Sequence, residues 1–143
     1  MFVYSRFIIH VMIPLITGGC IYIFFRSLDL RMFEWFNIIG ITEVIFNFRD
    51  IVQSNITLRP WMIFSLPDGL WTYSFTSSMI LVWRNNDKYS KIFICSPLVI
   101  SILFEFLQYF EIINGTFDWN DVYIIIVSFL ICNTYLNLKL HEN

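Results

Sequence analysis

The chain has 143 residues, of which 57% are hydrophobic and only 14% charged, with a mean hydropathy of +0.67. A soluble domain usually holds about 45–50% apolar and about 25% charged residues, so this composition excludes a small globule wetted on all sides and calls for lipid over part of the surface. The net charge of -2, without any cluster of Lys or Arg, argues against direct nucleic-acid binding.

Phe7 to Phe25 runs for 19 residues with His10 as its one side chain that titrates near neutral pH. That length suits one membrane span. A signal peptide would have an apolar core of about 7–15 residues followed by a small-residue cleavage site, and no such site follows. Thr17-Gly18-Gly19-Cys20 lacks the Leu three residues ahead of the cysteine that a lipoprotein box needs. The expectation is a retained first span over 7–25, with His10 as a hydrogen-bonded packing residue.

Residues 26–59 are interrupted by Asp29, Arg31, Glu34, Glu43, Arg49 and Asp50. Between these charges, residues 32–50 keep helical spacing and are read as one amphipathic helix, interfacial or re-entrant; a fifth full span is the alternative. Glu43, Asn47 and Asp50 fall at i, i+4 and i+7 and form its polar face. That face is either solvated or, in a ring of copies, the lining of a pore.

Leu66-Pro67-Asp68-Gly69 is a helix-start signal in which Asp68 can cap. The second span follows over 69–83. It is short and carries Thr72, Ser74, Thr76, Ser77 and Ser78, small residues that let helices approach closely and hydrogen-bond across. Trp61, Trp71 and Trp83 suit interfacial positions. The loop after it holds Arg84, Lys88 and Lys91. By the positive-inside rule this loop is cytoplasmic, and it is the expected contact surface for a cytosolic protein partner.

The third span, 92–112, contains the chain's most unusual feature, Glu105 inside an apolar run. A carboxylate at that depth costs about 2.5 kcal/mol or more on insertion scales and calls for a partner or a task. Gln108 lies three residues on and Ser101 four residues back, so the three share a face and form a candidate intramembrane polar site. The plain alternative is an interhelix hydrogen bond from Glu105 to Ser or Thr of the second span. Residues 111–121 lack Lys and Arg and face outward; the fourth span is 122–136. Asp118, Asn120 and Asp121 can cap it, or Asp68, Glu111, Asp118 and Asp121 form an acidic mouth on the outer side. Four spans put both termini inside.

Cys20, Cys95 and Cys132 lie in apolar runs and read as small buried hydrophobes. No cofactor or metal is expected from spacing, since a metal site needs convergent oxygen ligands that spacing alone does not reveal. No G-x-S-x-G, H-E-x-x-H or phosphate-binding glycine loop is present.

Leu66-Pro67-Asp68-Gly69 opening one span, Glu105-x-x-Gln108 inside the next and Asp118-x-x-Asp121 opening the last together resemble VanZ-like small integral membrane proteins. The resemblance covers roughly residues 60–130 and implies a four- or five-span bacterial inner-membrane protein of a family in which some members are linked to glycopeptide resistance. The family usually has an Arg between the Gln and the aspartates, and an Asn where Ile125 stands here.

The expected protein is therefore all-α, with four transmembrane helices and one interfacial helix in a single unit of the inner membrane. The leading functional expectation is a non-enzymatic, homo-oligomeric subunit that anchors or signals to a cytosolic partner, in envelope-stress sensing or phage defence. A small channel or transporter using Glu105 is the second, and an envelope or resistance protein the third.

Overall fold

The computed structural model describes residues 2–83 and 88–141. These form helices joined by short turns, and no strand occurs among the described residues. Helix α1 (Phe2–Phe7) passes through a π-helical turn (Ile8–Met12) into α2 (Ile13–Phe25). The turn ends just before Pro14, where the Ile13 N–H reaches back five residues to the Ile8 carbonyl. Proline has no N–H and its ring crowds the carbonyl four residues earlier, and a π turn is one way to relax that conflict without breaking the rod. Beside this turn the Val11 carbonyl accepts a 2.8 Å bond from the Ser74 hydroxyl.

The middle of the chain departs from the expected single helix over 32–50. There are two helices, α3 (Arg31–Ile39) and α4 (Thr42–Asn55), separated at Gly40 with φ +80. The Ile41 N–H bonds the Phe36 carbonyl and the Gly40 N–H bonds that of Asn37, the Schellman pattern that closes a helix on a left-handed residue. Arg49 then pins α4 to the end of α2, donating from Nη1 to the Ile23 carbonyl (2.9 Å) and from Nη2 to the Arg26 carbonyl (2.6 Å). Gln53 donates to the Phe24 carbonyl. These side chains satisfy carbonyls that a helix C-terminus leaves open.

Helix α5 (Pro60–Phe64) leads into α6 (Leu66–Val82), which packs against α2, α7 (Lys88–Tyr109) and α8 (Trp119–His141). Its buried residues are Pro67, Gly69, Thr72, Ser74, Thr76, Ser77 and Ile80. Small and hydroxyl side chains thus face inward, as they do where lipid supplies no hydrophobic drive between helices and close packing holds them together. Gly69 shows the requirement most directly: a Cβ there would collide with Ile124 and would lie 2.7 Å from the Ser128 hydroxyl. The neighbouring helices present Ile9, Ile16, Val99, Leu103, Leu130 and Ile131 outward.

Three segments are long and apolar enough to cross a membrane: Tyr4–Phe25, Tyr89–Tyr109 and Trp119–Leu136. They coincide with the first, third and fourth expected spans. Pro97 sits inside α7, where it leaves the Phe93 carbonyl without its usual donor; the Ser96 hydroxyl supplies a 2.8 Å bond to that carbonyl. Cys132 is buried as expected, whereas Cys20 and Cys95 point outward from their helices, onto the surface that lipid would cover. Trp71 packs within the bundle, 5.3 Å from the Tyr22 ring and against Gly18.

Candidate functional site: a carboxylate-lined cavity

Three helices each deliver one acid to the same point. Asp68 comes from the first turn of α6, Glu105 from the last turns of α7 and Asp121 from the first turn of α8. One carboxylate oxygen of each lies within 4.8 Å of the other two. Glu105 is 5% exposed and Asp121 8%. Glu105 Oε2 and Asp121 Oδ1 are buried without a hydrogen-bond partner. At an effective dielectric of about 20, full charges this close repel by about 3.5 kcal/mol per pair. That repulsion falls with any positive charge near the cluster, and the same cavity wall supplies one in Arg26.

The acids line a cavity of about 730 Å³ that Gln108, Asn114, Asp118, Trp71, Tyr22 and Arg26 also line. Arg26 has a buried Nε without a partner, and it donates from Nη2 to the Phe64 carbonyl. Below the acids, Ser101 and Thr72 meet at 2.9 Å. The Thr72 hydroxyl also donates to the Asp68 carbonyl at 2.8 Å, so its lone pair accepts the proton of Ser101. A second cavity of about 400 Å³ begins at this pair and shares Trp71 and Ser101 with the first. Deeper still, His10 Nδ1 and the Tyr73 hydroxyl are 2.8 Å apart, and Ser77 meets Cys132 at 3.1 Å.

Two of the sequence-assigned groups thereby merge. Ser101, Glu105 and Gln108 of the intramembrane set share one cavity with Asp68, Asp118 and Asp121 of the expected mouth. Glu111 does not line it; this exposed residue has φ +56 on the turn after α7. The expected bond between Glu105 and a second-span hydroxyl is made instead by Ser101, one turn away. Asp68 does not cap α6, whose start has no side-chain cap. Asp118 does hold the start of α8, accepting the Asn120 backbone N–H at 2.9 Å. Glu43, Asn47 and Asp50 are exposed on α4, and none of them lines the cavity. Of the basic loop, Arg84 and the Lys88 side chain lie outside the described residues, and Lys91 is exposed.

Sequence reasoning missed Arg26, Ser65, Trp71 and Asn114. Arg26 was open to discovery: it ends the first apolar run, which puts it at the same end of a four-helix bundle as Asp68 and Asp121. Comparison of the chain with family models, curated proteins and solved structures returns no match.

Proposed function

We propose that the chain is a non-enzymatic cation channel or transporter of small size, in which Glu105 is the intramembrane carboxylate of the binding site. The observation that carries this reading is the meeting of Asp68, Glu105 and Asp121 from three helices at a cavity wall. Ser101, which lines the same cavity and meets the Thr72 hydroxyl at 2.9 Å, adds polar groups beside the acids. In this reading α6 is a fourth span. Its 17 residues reach about 25 Å, somewhat short of a bilayer core, and the surrounding helices shield its polar surface.

In the same reading the cavity opens to the outer side of a bacterial inner membrane, with both termini inside, and α3 and α4 lie in the outer interface. The VanZ-like resemblance at Asp68, Glu105, Gln108 and Asp121 agrees with a shared site at these positions. Purified protein reconstituted in liposomes is expected to pass a cation, and Glu105→Gln to reduce that flux at least tenfold. Absent flux, or flux unchanged by Glu105→Gln, overturns the reading.

A further inference from the structure

We propose that Asp68, Glu105 and Asp121 hold a hard divalent cation of the calcium or magnesium type. This rests on the same site as the transport reading but names its ligand more closely. The acids alone would be a weak argument. The second observation is that Glu105 Oε2 and Asp121 Oδ1, on cavity-lining side chains only 5% and 8% exposed, are buried with no hydrogen-bond partner. An acceptor buried in that state is rare in a folded protein and asks for a partner the chain itself does not supply.

The geometry suits such an ion. Calcium takes oxygen ligands at about 2.3–2.6 Å, so two ligands of one ion lie at most about 5 Å apart. All three carboxylate oxygens fall within 4.8 Å of one another. All are hard oxygen donors, which disfavours copper or zinc. A divalent charge also offsets most of the negative charge that the cluster would concentrate. The cavity beside it, about 730 Å³, is far larger than the ~30 Å³ share of one water molecule. Waters can therefore complete the coordination shell, as magnesium and calcium both allow.

The test uses the full chain in lipid nanodiscs, with terbium(III) as a luminescent stand-in for calcium. Trp71 lines the cavity, so excitation of tryptophan is expected to sensitise bound terbium. Millimolar calcium or magnesium is expected to displace it, at one site per chain. Trp71→Phe, which keeps every ligand, is expected to remove most of the sensitised emission. Glu105→Gln and Asp121→Asn are each expected to weaken binding at least tenfold, and Glu43→Gln with Asp50→Asn to leave it unchanged. No saturable terbium or calcium binding by the unaltered chain overturns the inference, as does emission indifferent to Trp71→Phe. Glu105-dependent flux of a monovalent ion without divalent binding overturns this inference alone. Divalent binding without flux of any cation overturns the transport reading and leaves the site standing.

Discussion

The acids of the cavity and the acids of α4 make a controlled comparison within one chain. Glu43 and Asp50 are spaced as neatly on their helix as Glu105 is with Gln108 and Ser101. Yet Glu43, Asn47 and Asp50 stay exposed, while Glu105 and Asp121 are buried with oxygens that lack partners. On α4 the charged work is done by Arg49, on another face, which fastens the helix to the open carbonyls of α2. A carboxylate in water costs the fold almost nothing, whereas one withdrawn from water must be compensated. The cavity, not the regular spacing, is therefore where the carboxylates meet an environment that does not compensate them.

The strongest way to break this contrast is to push the cavity's helices apart without touching an acid. Gly69 allows α6 to approach α8 so closely that Asp68 and Asp121 meet. Gly69→Val puts side-chain atoms where Ile124 and Ser128 already stand and is expected to destabilise the fold by about 3 kcal/mol, the upper part of the overpacking range. Denaturant unfolding in mixed micelles measures it. A cost under about 1 kcal/mol would mean that α6 and α8 are held less tightly than their contact implies, and that the acids have room to separate.

A smaller change sharpens the contrast at the cavity floor. Thr72→Val keeps the shape of the side chain but removes the hydroxyl that bridges Ser101 and the Asp68 carbonyl. The expected cost is about 1–3 kcal/mol, the range for removing one partner and leaving the other unsatisfied, measured in the same unfolding assay. If the pair also forms the step between the two cavities, cation flux falls with it; a structural bond alone changes stability and leaves flux as it was.

How much of this was legible before the structure follows from what periodicity encodes. The apolar runs announced Tyr4–Phe25, Tyr89–Tyr109 and Trp119–Leu136 because the hydrophobic length of a span is written along one segment. Glu105 announced itself for the same reason, as a carboxyl within such a run. Its companions were only partly legible: Asp68 and Asp121 were named among the outer acids, together with Glu111, which does not join them. Spacing along α7 nominated Ser101 and Gln108, but Asp68 and Asp121 approach from other helices, and their meeting depends on how α6 and α8 are rotated about their axes. Gly40 was equally quiet. The residues on either side continue a helical pattern, and only the left-handed backbone at φ +80 divides α3 from α4. Arg26 escaped because a cation at the end of an apolar run ordinarily marks a membrane boundary, and nothing local tells that it also turns toward acids beginning more than forty residues later.

The smallest expected effect is the most informative about α4. Glu43→Gln combined with Asp50→Asn removes two charges from an exposed face without changing side-chain volume, and exposed substitutions of this kind usually shift stability by no more than about 0.5 kcal/mol. Unfolding of the double variant in micelles is expected to stay within about 1 kcal/mol of the unaltered chain, and cation flux in liposomes to stay the same. If α4 instead lined a pore shared between copies, the same two changes would strip its lining of charge. Flux or ion selectivity would then change while stability did not. That result would move the functional acids from the cavity to the helical hairpin and reverse the ranking of the two regions.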